Sequence, residues 1–124
     1  MPLKSELFRG DPRLEACAIN NQAHITQGAM GEHVSKIQSA LLRVNQASID
    51  RGELNTQQYG ASTAAAVLQY KQQRSIINRS YQTQPDNIVG IMTIAYLDND
   101  LVEWERKGRA LVTIKDIFCG LVRS

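Results

Sequence analysis

The chain has 124 residues, of which 43% are hydrophobic and 21% are charged, and its formal net charge is +2. This length suits one domain with a modest core, which we place over residues 1–124, and it excludes two independent domains. The small net charge and the scattered basic residues do not indicate a nucleic-acid partner.

No stretch of the sequence approaches the ~20 consecutive apolar residues of a membrane-spanning helix. The N-terminal stretch up to Asn21 carries charges and prolines and lacks the apolar run of a signal peptide. We therefore expect no membrane span and a protein that is cytoplasmic as made.

The first predicted element is a short helix from Pro12 to about Ile19. Asp11 can accept hydrogen bonds from the free N–H groups at a helix start, and proline suits the first helical position. Polar residues and a glycine then break the helical pattern. We expect His24–Thr26 to form an extended connector.

Two long helices follow in the prediction. After Gly31, apolar residues recur at three- and four-residue steps, which predicts a helix that ends near Asn45. The polar run from Asp50 to Thr56 is predicted to be a loop. The next helix is predicted from Ala61 to about Gln73, with Lys71 on its wetter side.

The C-terminal part is predicted to add a third helix and a helical extension. The third helix runs from Gly90 to about Leu97. Asp100 precedes another apolar run, and Thr113 and Asp116 have the spacing of a capping box, so one or two further helices are expected. Strand signals are weak, and the predicted fold class is therefore all-α.

The pattern Gly-x-x-Thr occurs twice before a predicted helix, at Gly60 and Thr63 and again at Gly90 and Thr93. Glycine permits a backbone turn that a side chain would block, and the threonine hydroxyl can pair with backbone groups of the first turn. By itself the repeat predicts a structural device and no chemistry.

Three segments carry a more specific pattern in this order: GAMGEHVSKIQSALLRV, YGASTAAAVLQYKQQR and DNIVGIMTIAYL. They resemble the three-helix peptidoglycan-binding domain that is attached to many bacterial and phage cell-wall hydrolases. The resemblance covers about Ile25 to Asp98 and leaves residues 99–124 as a C-terminal extension. Asn87 stands where the family commonly has glycine, and Lys71 stands where glutamine is usual. The matching residues are Gly28, Gly31, Val34, Ile37, Gln38, Leu41, Tyr59, Gly60, Thr63, Ala66, Val67, Tyr70, Asp86, Ile88, Val89, Gly90, Thr93 and Leu97.

The resemblance implies a compact three-helix bundle over residues 25–98, with an extra N-terminal helix before it. It also implies a bacterial, non-catalytic module that binds cell-wall peptidoglycan and targets or accompanies a hydrolase. Because the N-terminal stretch does not have the pattern of a signal peptide, delivery to the periplasm or cell wall would be by a non-classical route. Most matching residues fall on apolar helical stripes and are predicted to be core. The structural motif positions are Gly31, Gln38, Gly60, Thr63, Gly90 and Thr93.

Ligand contacts are therefore predicted in the loop between the second and third motif helices. Peptidoglycan offers sugar hydroxyls, N-acetyl groups and stem-peptide carboxylates, which amides, an aromatic face and an arginine can recognise. The loop supplies these groups close together, although it also has the composition of an ordinary solvated connection. The candidate ligand-binding residues are Asn78, Arg79, Tyr81 and Gln82 in this loop, Asn87 at the entry to the third helix, and Tyr59 at the entry to the second.

Catalytic residues, metal sites and cofactors are not predicted. Cys17 and Cys119 have no close paired spacing with His24 and His33, which argues against structural zinc. We expect two reduced, buried thiols, with a disulfide as the alternative outside the cytoplasm. No spacing of carboxylates demands glycoside cleavage, so a cell-wall hydrolase is the less favoured interpretation.

A second function fits the same sequence. The helical scaffold could serve as a protein-interaction adaptor, in the cytoplasm or in a secretion apparatus, with Asp100–Ser124 as its contact face. The missing signal sequence favours this alternative, and the family resemblance favours the cell wall. Trp104 discriminates between them, because a buried ring indicates core packing and an exposed ring indicates a partner surface.

Overall fold

The structure of the chain, a computed structural model, describes residues 3–76 and 86–122, and within them the side chains up to Lys107 apart from Asn21. This part contains two isolated antiparallel bridges, Ile25 with Val89 and Met30 with Gln58, and no longer strand. The prediction of an all-α chain is confirmed. The helices are α1 (Pro12–Ile19), α2 (Glu32–Asn45), α3 (Arg51–Thr56), α4 (Ala61–Arg74) and α5 (Ile91–Val122), with a 3-10 turn at Asn21–Ala23.

The core lies between α1, α2, α4 and α5. α2 packs against both α4 and α5, and α1 packs against α5. The apolar stripe of α2 is buried as predicted, and Val67 and Tyr70 of α4 are buried with it. The helix bounds of α2 and α4 agree with the sequence because each helix has an apolar face that the others cover. The large buried apolar side chains include Phe8, Leu14, Ile37, Leu41, Tyr59, Tyr70, Ile94, Leu97 and Leu101.

α1 begins and ends where the sequence predicts. The Asp11 carboxylate accepts hydrogen bonds from the N–H groups of Arg13 (2.9 Å) and Leu14 (3.2 Å). It also forms an ion pair with Lys36 of α2 at 3.2 Å, so the cap ties the two helices together. Burial acts to raise the pKa of Asp11, but these partners lower it below its ordinary value.

The prediction of a loop at Asp50–Thr56 is wrong. Arg51–Thr56 is the short helix α3, and the Asp50 carboxylate caps it by accepting from the Gly52 N–H at 3.0 Å. Asp50 and Glu53 have the spacing of a capping box, which is the local signal for this helix. The helix ends at Gln57, which adopts a left-handed conformation with φ of 56°.

The prediction of separate C-terminal helices is also wrong. The region from Ile91 to Val122 is one continuous helix, about 48 Å long at 1.5 Å per residue. Asp100 does not start a helix, because its carboxylate accepts from Tyr70 Oη at 2.6 Å and from Arg74 Nε at 2.9 Å. Among the described helices, none combines the length and the apolar composition needed to cross a membrane.

The placement of Lys71 on the wetter side of its helix is wrong as well. Only 6% of this residue is exposed. Its Nζ donates to the Asp86 carboxylate and, at 2.8 Å, to the carbonyl of Ile88. A buried lysine needs such partners, and here they fix the chain just before α5 against α4.

The segment before α1 is held in place by carboxylates. Asp98 of α5 accepts from the N–H groups of Lys4 (2.9 Å) and Ser5 (2.8 Å). Glu105 of α5 and Glu15 of α1 accept further N–H groups of the same segment. The N-terminal helix and the turn before it are thus held against α5 by packing and by these hydrogen bonds.

Candidate functional site

The start of α4 is organised by a carboxylate from another helix. Gly60, at the N-cap position, has no side chain that could accept a hydrogen bond. Glu53 of α3 takes this role and accepts from the N–H groups of Gly60 (3.1 Å), Ser62 (2.9 Å) and Thr63 (2.9 Å). One side chain therefore satisfies three of the backbone donors that a helix start leaves without partners.

These hydrogen bonds determine the protonation of Glu53. Burial acts to raise its pKa, but the donors on Ser62 and Thr63 lower the pKa to about 2. The Thr63 hydroxyl contributes at 2.7 Å. The carboxylate is therefore ionised throughout the physiological range and acts as an acceptor only.

Gln38 connects α2 to the same arrangement. Its side chain is fully buried, and its Nε2 donates to Thr63 Oγ1 at 2.9 Å and to the carbonyl of Gln58 at 3.0 Å. Thr63 Oγ1 thus accepts from Gln38 and donates to Glu53. The two motif residues Gln38 and Thr63 lie together and join α2, α3 and α4 into one polar network.

The two glycines of the repeat have different surroundings. A Cβ on Gly60 would lie 2.6 Å from Cδ of Glu53, so the close approach of this carboxylate requires glycine. A Cβ on Gly90 would meet nothing within 4 Å, and its φ is not positive, so the structure gives no steric reason for glycine there. Thr93, the partner of Gly90 in the repeat, is buried. Gly31, which precedes α2, has φ of 130°, a conformation that favours glycine.

Tyr59 lies in the core. Its side chain is 0% exposed, and its hydroxyl donates to the carbonyl of Asn87. Burial raises the pKa of the phenol above its ordinary value, so it stays protonated as a donor. This hydrogen bond joins the start of α4 to the segment before α5. Asn87 itself is half-buried, and the Tyr59 hydroxyl holds its backbone carbonyl in place.

The predicted contact loop falls largely outside the described residues. Asn78, Arg79, Tyr81 and Gln82 lie outside them, so their part in a binding surface stays a prediction. A second candidate surface lies along the connector that follows α1.

A groove of about 520 Å³ runs along this connector. Ile25 exchanges two backbone hydrogen bonds with Val89, each 2.8 Å long, so the connector lies antiparallel to the segment that contains Asn87. The lining combines a guanidinium, an imidazole, amides and a hydroxyl with small apolar groups. It consists of Arg13, Ala16, Gln22, Ala23, His24, Ile25, Thr26, Gln27, Gly28 and Ala29.

The charge in this groove is positive. Arg13 is exposed and, among the described residues, makes no ion pair, whereas nearby Asp11 is paired with Lys36. The charge of Arg13 also acts on His33 of α2, which lies outside the groove lining. Burial and the positive charge of Arg13 lower the pKa of His33, and Asp11 acts in the opposite direction. No sequence motif indicates the groove, whose lining comes from α1 and the connector. The connector itself pairs with a segment more than sixty residues away.

Cys17 lies beneath the same pair of segments. It is a free, fully buried thiol, and its Sγ donates to the carbonyl of Val89 at 3.4 Å. Burial raises the pKa of the thiol to about 11, which opposes formation of a nucleophilic thiolate. The described residues contain no cluster of three or more His, Cys, Asp or Glu side chains that could hold a metal ion.

Comparisons of the chain with models of protein families, with curated proteins and with solved structures find no match. The resemblance to a peptidoglycan-binding domain therefore depends on the motif residues of the three segments.

Proposed function

We propose that the chain is a non-catalytic module that binds bacterial cell-wall peptidoglycan and targets or accompanies a hydrolase. The proposal includes residues 25–98 as a peptidoglycan-binding-like bundle of α2, α4 and the first part of α5. The observation that carries it is the groove along the connector, whose chemistry suits this polymer.

The groove offers the groups that peptidoglycan needs. Gln22, Thr26 and Gln27 can form hydrogen bonds with sugar hydroxyls and N-acetyl groups, and Arg13 can bind a carboxylate. Its volume of about 520 Å³ lies within the range of about 300–1,000 Å³ that is usual for ligand sites. The motif residues Gln38 and Thr63 support the proposal indirectly. Together with Glu53 they hold α2, α3 and α4 together, which gives both motif residues a structural role in the bundle.

The test is retention of the purified chain on insoluble peptidoglycan. We expect the protein to sediment with sacculi and to stay in solution with cellulose, which controls for general adhesion to polysaccharide. Sacculi from several bacteria should be used, since cell walls differ in their peptides. A chain that stays in solution with all of them would refute the proposal.

The predicted loop is tested in the same assay. Arg79→Ala and Tyr81→Ala should each weaken retention if the loop contributes contacts as the sequence predicts. Unchanged retention of both variants would remove the loop from the binding surface and leave the module itself in place.

Trp104 favours a second candidate, the protein-interaction adaptor. The residue is 42% exposed, and the Arg43 guanidinium of α2 lies 5.0 Å from the ring centroid. An exposed tryptophan beside an arginine has the composition of an interface hot spot. If the chain is an adaptor, Trp104→Ala should abolish its binding to its protein partner. The melting temperature of the variant and its retention on sacculi should equal those of the parent chain.

A further inference from the structure

We propose that the groove binds the stem peptide of peptidoglycan rather than its sugars, as an extended strand beside Thr26 with a carboxylate at Arg13. This inference rests on the proposed function, which leaves open which part of the polymer is recognised.

The backbone groups of the connector point in directions that its pairing with Val89 fixes. In an antiparallel pair, successive residues direct their N–H and C=O groups to opposite sides. Both groups of Ile25 bond to Val89, so those of residues 24 and 26 are directed away from Val89. The Thr26 carbonyl accepts from the Ala29 N–H at 3.1 Å. Since the Thr26 carbonyl is used within the connector, we assign the Thr26 N–H, which is also directed away from Val89, as the donor to a peptide added along this edge.

The charge of the groove also favours a ligand with a carboxylate. The residues that line the groove include a guanidinium and no Asp or Glu. The acidic side chains of α1 have other partners, since Asp11 pairs with Lys36 and Glu15 accepts from the N–H groups of Leu3 and Gly10. A ligand carboxylate at Arg13 would thus gain a charge-assisted hydrogen bond without facing a like charge in the lining.

Apart from the imidazole of His24, the lining offers no aromatic ring for stacking against a sugar. Sugar rings are usually recognised with an aromatic face, and the lining of this groove contains no Phe, Tyr or Trp. Amides, a hydroxyl and a backbone edge are suited to a peptide. The groove is also large enough for several residues of such a chain.

The experiment compares three probes on the full chain: intact sacculi, glycan strands from which an amidase has removed the stem peptides, and the released peptides as competitor. We expect retention on intact sacculi, loss of binding to the stripped glycan, and competition by the released peptides. Arg13→Gln should weaken binding roughly tenfold or more, as loss of a charge-assisted hydrogen bond predicts. Arg9→Gln, at another exposed arginine outside the lining, makes the same charge change and should bind like the parent.

A backbone variant tests the strand geometry. Thr26→Ala removes only the hydroxyl and keeps the N–H, whereas Thr26→Pro removes both, so the proline variant should bind about tenfold more weakly than the alanine variant. Equal affinity of the two variants would overturn the assignment of the N–H. Circular dichroism verifies that both variants are folded.

The possible results separate the two proposals. No binding to intact sacculi overturns the proposed function and this inference with it. Equal binding to intact sacculi and stripped glycan, with Arg13→Gln unchanged, overturns the inference alone and assigns recognition to the sugars.

Discussion

At the scale of single residues, Glu53 shows how one carboxylate can replace a cap that the helix itself lacks. Capping side chains usually belong to the helix they cap, but here the acceptor comes from α3 and serves α4. Because Gln38 donates to the Thr63 hydroxyl that Glu53 accepts from, the cap also fixes α2. Loss of this side chain should therefore weaken three elements together.

The first prediction is that Glu53→Gln lowers the free energy of unfolding by about 2 kcal/mol at pH 7, since a charge-assisted acceptor becomes a neutral amide. The pKa of Glu53 falls from 4.5 to about 2 on folding. Its stabilisation is therefore complete above about pH 4.5 and is lost as the pH falls through about 2. Urea unfolding at several pH values should show the difference between parent and variant shrinking across this window.

The matched control for this prediction is Glu32→Gln, which changes an exposed carboxylate at the start of α2. It should change the unfolding free energy by less than about 0.5 kcal/mol. A difference for Glu53→Gln that stays constant down to pH 2 would contradict the assigned pKa.

The second prediction separates the two copies of the Gly-x-x-Thr repeat. Gly60→Ala should destabilise the chain by about 1–3 kcal/mol, because the new methyl group would displace the Glu53 carboxylate. Gly90→Ala should change stability by less than about 1 kcal/mol, since its methyl group meets nothing within 4 Å. Thermal unfolding of the two variants provides the measurement, and equal losses at both positions would show that the repeat has one common steric cause.

At the scale of elements, the sequence predicts the helices whose signals are local. α1 has its own cap at Asp11, and α2 has an apolar stripe that its neighbours bury. Periodicity does not predict α3, because a six-residue helix has too few residues to show it, although Asp50 and Glu53 have the capping pattern. Short polar helices depend on such caps and on the elements they contact.

The continuity of α5 could not be predicted for a different reason. Aspartate is a common N-cap residue, but at Asp100 the side chains of Tyr70 and Arg74 on α4 provide the hydrogen bonds. Once these donors satisfy the carboxylate, it no longer competes for backbone N–H groups and the helix continues through it. The donors lie about thirty residues away in the chain, which no local pattern records.

The third prediction concerns the segment before α1. Asp98→Ala removes the acceptor of the Lys4 and Ser5 N–H groups and should destabilise the docking of this segment by about 1–3 kcal/mol. Hydrogen exchange of these two amides should accelerate, while amides in the middle of α2 should change less. Glu103→Ala, at an exposed position on the same helix, is the control. Unchanged exchange at both amides would show that the segment is held by its apolar contacts.

At the scale of the whole molecule, the connector that lines the groove is held by a contact between segments that are distant in sequence. The connector after α1, which lines the groove, pairs with the segment before α5 through Ile25 and Val89. The sequence predicted an extended connector and identified Asn87, but it gave no sign that these would meet. The loop residues from Asn78 to Gln82 remain a prediction from composition.

The fourth prediction uses Cys17 as a reporter of this assembly. The Cys17 thiol of α1 is fully buried against Val89, so a thiol reagent can reach it only when these segments separate. Burial also raises its pKa to about 11, which slows its reaction further while it stays buried. In a Cys119→Ala variant, which leaves one thiol, labelling at pH 8 should be slow in native protein and fast in urea. Its dependence on urea should parallel global unfolding, because opening at Cys17 breaks the contact of α1 with the rest of the core. Rapid labelling without urea, at a rate independent of stability, would instead show that α1 and the connector separate from the motif helices as a local unit.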